Sequence, residues 1–181
     1  MEILNESHPH EYREIQMLRD GHLADYLNFD VRTTEGENES LLNRFKERGF
    51  PEVLLISFMS EWCPNCYYEG PLFKDVYDSW KERGLEVLLV VEYSDRAEWE
   101  NRFVKPLGIN LPTVFGELSE KDEVRKLSTS HHRVKTMMGD ERNWGVPLHL
   151  LIVRGKLGDI HYVTGEFQPG ALEAFVEVHV A

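Results

Sequence analysis

Two apolar runs dominate the pattern of this chain. "EVLLISFM" (Glu52–Met59) and "LEVLLVVEY" (Leu85–Tyr93) are short and continuous, as buried strands are. Between them Leu72, Phe73, Val76, Tyr77 and Trp80 recur at helical intervals up to a stop at Gly84. Pro64 falls where a first helical turn has no use for an N–H. Strand, helix and strand with short connections make a βαβ unit, which implies parallel strands and a right-handed crossover. Downstream, "RAEWENRFVKPLG" predicts a helix closed by Pro106 and Gly108, Leu111 to Phe115 an extended segment, and "SEKDEVRKLSTSHHRVKTMMGDERNW" a charged, partly helical stretch. "PLHLLIV" and "DIHYVTG" predict a hairpin, and "QPGALEAFVEVHV" a terminal amphipathic helix with Pro169 near its first turn. Upstream, Ile15, Leu18, Leu23 and Leu27 follow a weak helical spacing over roughly 9–27. Phe29 to Arg32 predicts a short strand, followed by a polar turn and the short helix "LLNRFKERGF".

The chain has 181 residues, enough for one domain with an extension and for a substantial core without a disulfide scaffold. A formal charge of −12 argues against nucleic acid or an anionic membrane surface as partner, since either would repel it. No run of about 18 apolar residues is present to predict a membrane span. The start, "MEILNESHPHEYREIQMLRD", lacks the basic and apolar regions of a secretory signal, so the chain reads as cytoplasmic. A periplasmic or envelope location is the alternative if a leader has been removed.

The two cysteines of the chain, Cys63 and Cys66, stand in "EWCPNCYYEGP" between the first strand and the helix. That junction brings Cys63 to a helix N-terminus, where unpaired N–H groups and the helix dipole favour a thiolate, the nucleophile in disulfide exchange. Cys66 lies one turn on, on the same face, close enough to resolve a mixed disulfide. A zinc site needs further ligands: there is no other cysteine, His131 and His132 are adjacent, and His8 and His10 lie in an N-terminal arm expected to be mobile. No metal and no organic cofactor is expected. Redox chemistry is the favoured reading, with a structural zinc half-site or two merely packed cysteines as lesser ones.

In this context "VLLISFMSEWCPNC", with its helix and Pro71, resembles the first strand and active-site loop of the thioredoxin fold. "WGVPLHLLIVRGKLGDIHYVTGEFQPGALEAFV" is similar to that family's terminal strand pair and helix. The TlpA-like thiol–disulfide oxidoreductases resemble the chain most: "DYLNFDVRTTEGENESLLNRFKERGFPEVLLISF" looks like their N-terminal elements, and "CPNCYYEGP" like their Cys-x-x-Cys-x-x-Glu-x-Pro. The resemblance implies an α/β, thioredoxin-like fold, a central mixed sheet flanked by helices, over residues 25–181, with an insertion at about 94–144 before the cis-proline strand. Residues 1–24 are then an N-terminal extension, helical or partly mobile.

It also implies roles. Pro147, after Val146, matches the cis-proline that faces the cysteines and holds the partner chain, with Pro112 in "LPT" as a rival. Ser57 stands where many thioredoxins carry an aspartate able to relay a proton, so Glu69 becomes the candidate acceptor for the Cys66 proton. A solvated helix glutamate is the alternative. Trp62 is a candidate substrate contact, while Trp144 borders the proline loop or simply packs, and His149 and His161 read as strand residues without a catalytic part. The implied reaction is exchange of a CxxC dithiol/disulfide with protein thiol/disulfide substrates, supplied by an upstream dithiol reductant. The absence of Lys or Arg in the first turn after the motif favours reduction of partners. A non-catalytic thioredoxin-like binding or assembly module is the alternative, and a thiol peroxidase a lesser one.

Overall fold

A computed structural model describes residues 8–180. Its elements in chain order are β1 (Tyr12–Arg13), β2 (Gln16–Leu18), α1 (Leu23–Leu27), β3 (Asp30–Arg32), β4 (Asn38–Ser40), α2 (Leu41–Arg48) and β5 (Val53–Met59). Then come α3 (Pro64–Trp80), β6 (Leu85–Val91), α4 (Arg96–Trp99), a wider helical stretch (Glu100–Val104), α5 (Lys105–Leu107) and β7 (Thr113–Phe115). The chain ends with α6 (Ser130–Met137), β8 (Leu148–Val153), β9 (Ile160–Val163), β10 (Glu166–Phe167) and α7 (Ala171–His179).

Eight strands form one mixed sheet in the order β2-β9-β8-β5-β6-β7-β3-β4. β5 is central: it runs parallel to β6 and antiparallel to β8. Every residue of β5 and β8 is buried, as strands covered on both faces require. The continuous apolar run at 52–59 is therefore the middle of the core. α3 crosses from β5 to β6, as the βαβ pattern predicts. This thioredoxin-like α/β arrangement is the fold that the resemblance implies.

Two features depart from the sequence reading. Residues 12–18 are not helical but form β1, which pairs in parallel with β10, and β2, which extends the sheet beside β9. The open edge of β9 offers unpaired backbone groups, and pairing there outweighs a weak helical periodicity. Nor is the arm detached: His8 Nε2 lies 3.1 Å from Asn65 Oδ1 and His10 Nδ1 2.9 Å from Glu166 Oε1. Within the stretch read as an insertion, β7 pairs with β6 in the main sheet, so its first half builds a second parallel crossover.

Glycine permits a close contact of α3. A Cβ on Gly70 would stand 2.5 Å from Ile109 Cδ1 and 2.9 Å from Phe103 Cζ. α3 thus lies directly against the segment 100–109.

Candidate redox site

Cys63 is the N-cap of α3, with extended backbone (φ −90°, ψ 112°), and its sulfur accepts the backbone N–H of Cys66 at 3.3 Å. Pro64 at the first helical position withholds an N–H that would have had no partner. The Cys66 N–H, shared with the Cys63 carbonyl at 3.1 Å, points at the Cys63 sulfur from the first turn of α3, and helix N-termini favour negative charge. Both cysteines are unbridged and buried. Burial, with the hydrogen bond and negative charge of Cys63 added, pushes the Cys66 thiol well up. Cys66 consequently stays protonated until a nearby base removes the proton.

The approach to the helix is held from several sides. Ser60 Oγ donates to the Glu92 carbonyl at 2.6 Å, the Glu61 N–H to Ser94 Oγ at 3.0 Å, and Trp62 Nε1 to the Tyr93 carbonyl at 2.9 Å. Tyr93 itself has φ +56°, an uncommon conformation for a non-glycine residue. Opposite Cys63, the Val146–Pro147 bond is cis, the sole cis bond among the described residues; Pro112 is not in one. The Val146 carbonyl lies 3.6 Å from Cys63 Sγ.

Of the residues singled out in the sequence, Cys63, Val146 and Pro147 thus converge, with Cys66 one turn behind. Trp62 is half-buried and meets Trp144 edge to face at 5.5 Å, while Lys121 Nζ sits 3.7 Å above its ring. Glu69 is no solvated helix residue: it is 2% exposed and accepts the Phe167 N–H at 2.7 Å. Its charge acts on Cys66. Among the described residues no group of three or more His, Cys, Asp or Glu side chains converges as a metal site.

Other polar residues at the site carry no motif. Arg142 donates to the carbonyls of both Val146 and Pro147 and pairs with buried Asp140 and with Glu11. Asn65 bridges the Pro9 carbonyl and buried Glu166. His131, from α6, lies 2.8 Å from the Tyr93 hydroxyl through Nδ1 and 2.9 Å from the Gly145 carbonyl through Nε2. His149 joins Ser57 beneath α3, where a lone histidine inside the apolar run "PLHLLIV" was the available signal.

Comparisons with known proteins agree with this fold. The sequence profile of the AhpC/TSA family matches residues 24–143, which include both cysteines and end short of Val146. A thiol-disulfide oxidoreductase ResA of Bacillus thuringiensis subsp. konkukian is 31% identical over 107 residues, 57% of this chain and 58% of the relative. ResA of Bacillus subtilis is 28% identical over 92 residues, 51% of this chain and 48% of that protein. The chain thus spans about half the length of the curated relatives it matches. Among solved structures, a secreted Mycobacterium tuberculosis disulfide oxidoreductase homologous to E. coli DsbE superposes with a TM-score of 0.60 at 13% identity, covering 85% of this chain and 98% of that one. The thioredoxin domain of a Bacteroides vulgatus thiol-disulfide oxidoreductase gives 0.59 at 22% identity, covering 84% and 93%. At such identities the superpositions speak for the fold alone.

Proposed function

The chain belongs to the thioredoxin-like AhpC/TSA family, and from that premise we propose that it exchanges its Cys63–Cys66 dithiol with disulfides of partner proteins. The observation that carries this reading is the N-cap position of Cys63, its sulfur facing the cis Val146–Pro147 bond with Cys66 one turn behind. Cys63 thiolate attacks one sulfur of the partner disulfide; a mixed disulfide forms and the partner's other sulfur leaves as thiolate. Cys66 then gives its proton to Glu69 and attacks Cys63 Sγ. The Cys63–partner bond breaks, its electron pair leaves on the partner sulfur, and Cys63–Cys66 becomes the disulfide. The partner gains two electrons, and an upstream dithiol donor restores the protein. Trp62 and the backbone beside Pro147 are the proposed partner contacts.

Reduction is the favoured direction. No Lys or Arg occupies the first turn of α3, and the guanidinium of Arg142 is already paired with Asp140 and Glu11. Little is left to stabilise the thiolate beyond the helix terminus, and a less stabilised dithiol makes a more reducing couple.

Reduction of insulin disulfides by the wild type, abolished in Cys63→Ser, is the expected result. Cys66→Ser should accumulate mixed disulfides with its partners, whose identification names the substrates. A chain that neither reduces insulin nor traps a partner is a binding module instead, and turnover of hydrogen peroxide without disulfide exchange makes it a peroxidase. No helix among the described residues is long and apolar enough to cross a membrane.

A further inference from the structure

Beneath the cysteines, three buried polar side chains from three elements meet in an otherwise apolar layer. The register of β5 and β8 sets Ser57 opposite His149, and His149 Nδ1 lies 2.8 Å from Ser57 Oγ. On the other side of the ring, Nε2 lies 3.6 Å from Glu69 Oε1 on α3. Phe73 meets the imidazole edge to face at 5.2 Å and Phe167 stacks on it at 4.8 Å. Neither His149 Nε2 nor Glu69 Oε2 has a hydrogen-bond partner, although both are shut off from solvent.

Two unsatisfied polar atoms side by side in a core are costly, at about 1–3 kcal/mol each, unless they serve one another or a reacting group. The tautomer follows from the neighbours. Ser57 has a single O–H; donated to Nδ1, it leaves the ring proton on Nε2, directed at the Glu69 carboxylate. The opposite tautomer would turn a lone pair on Nε2 towards that oxygen. Closing by about half an ångström brings the pair to ordinary N–H···O distance. The Glu69 charge also acts on Cys66 of α3 and on Tyr12 of β1, and both of these are acids. His149 is therefore the side-chain donor able to favour the carboxylate, added to the Phe167 N–H that Oε1 already accepts at 2.7 Å.

We infer that His149 is a positioning residue for the proton step at Cys66: its Nε2–H holds Glu69 as the carboxylate, with Oε2 free to take the thiol proton. The inference rests on the exchange reading above and deepens it. Atoms balance as before: Cys66 S–H yields its proton to Glu69, its sulfur pair forms the Cys63–Cys66 bond, and the displaced sulfur leaves with the electrons of the broken bond. His149 gains and loses no proton; it orients the acceptor.

The test uses dithiobis-nitrobenzoate, a small disulfide whose two leaving groups report the two steps separately. The first release of thionitrobenzoate reads attack by Cys63, the second resolution by Cys66. His149→Phe, which keeps the aromatic stack, should leave the first phase unchanged and slow the second about tenfold at neutral pH, the loss of one hydrogen bond to a charged group. The acid limb of the second phase should move to higher pH. His149→Gln, whose amide still reaches Glu69, should stay within about threefold of the wild type, because the donor and not the titration is what matters. Glu69→Gln should slow the second phase, and adding His149→Phe to it should slow it no further. A wild-type second-phase pH profile in His149→Phe, or a double variant slower than Glu69→Gln alone, overturns the inference. Should His149→Phe fail to fold, the ring nitrogen resonances of His149 in the wild type must place its proton on Nε2; a proton on Nδ1 overturns it. A wild type that shows both phases but reduces no protein disulfide removes the functional reading and leaves this one standing. A wild type with no second phase removes both.

Discussion

Arg142 Nη2 donates to the Pro147 carbonyl at 2.9 Å, so the loop facing Cys63 is fastened by a side chain five residues before it. The same guanidinium holds Asp140 through Nη2 at 2.7 Å and through Nε at 2.9 Å. Burial works against the Asp140 charge, but the hydrogen bonds and charge of Arg142 prevail and hold the carboxyl below its usual value.

Arg142→Ala should therefore do two things. It should leave Asp140 as an unpaired buried charge and cost about 3 kcal/mol in urea unfolding, part of which Asp140→Asn in the same chain restores. It should also weaken capture of partners by Cys66→Ser. Because the Asp140 carboxyl is depressed in the fold, its contribution is present above the usual carboxylate range and lost as pH falls. The difference between wild type and Arg142→Ala should shrink in acid.

Glu92 should destabilise the protein as pH rises. Burial pushes its carboxyl up to about 7, against the backbone N–H groups of Leu118 at 2.7 Å and Glu117 at 3.2 Å, which favour its charge. Between the ordinary value of 4.5 and about 7 the folded chain keeps a proton that the unfolded chain has lost, so stability falls across that window and is level above it. Glu92→Gln lacks this slope. Going from pH 5 to pH 8, it should gain on the wild type by on the order of 3 kcal/mol in chemical denaturation.

His131 should act with the opposite sign. Burial pulls its imidazole down to about 4 from 6.5. The folded chain keeps it neutral while the unfolded chain binds a proton, so stability is lost as pH falls from about 6.5 to about 4. The two slopes oppose each other between 4.5 and 6.5 in the wild type. Glu92→Gln should therefore unmask the His131 slope, and Glu92→Gln with His131→Phe should flatten it. Since His131 Nε2 lies 2.9 Å from the Gly145 carbonyl, the acid loosening should show first in hydrogen exchange at the amides of residues 144–146.

Gly70→Ala tests the closeness of α3 to its neighbour. Alanine is the better helix former by about 1 kcal/mol, yet its methyl would fall 2.5 Å from Ile109 Cδ1. Overpacking should win, with a net loss of about 1–2 kcal/mol in the urea midpoint.

The chemistry-bearing half of the site was legible because it is local. A cap residue, a proline and a second cysteine one turn on express their geometry within four positions, and the buried strands on either side declare themselves by continuous apolar runs. Glu69 was named from a motif, but its burial was not visible, since that depends on β10 lying alongside through the Phe167 N–H. His149 was passed over because a single histidine in a strand says nothing about what faces it; only the pairing register brings Ser57 opposite. Arg142 and His131 act on the loop at Gly145–Pro147 from a segment of mostly polar residues, where periodicity carries no signal. The N-terminal strands were missed for a related reason: two or three residues per strand are too few for a pattern, and their pairing partners lie at the far end of the chain.

That last pairing has a consequence for the order of events in folding. His10 and Glu166 are 156 residues apart in sequence, and Asn65, at the start of α3, is joined to both ends through Pro9 and Glu166. Contacts of such separation carry a large loop-closure entropy and form after the local βαβ unit. During synthesis the helix and its cysteines are made long before β10 exists to cover Glu69. The nascent chain therefore passes through an interval in which both thiols are present without their finished surroundings, and it is the arrival of the C-terminal strands that closes the site around Glu69.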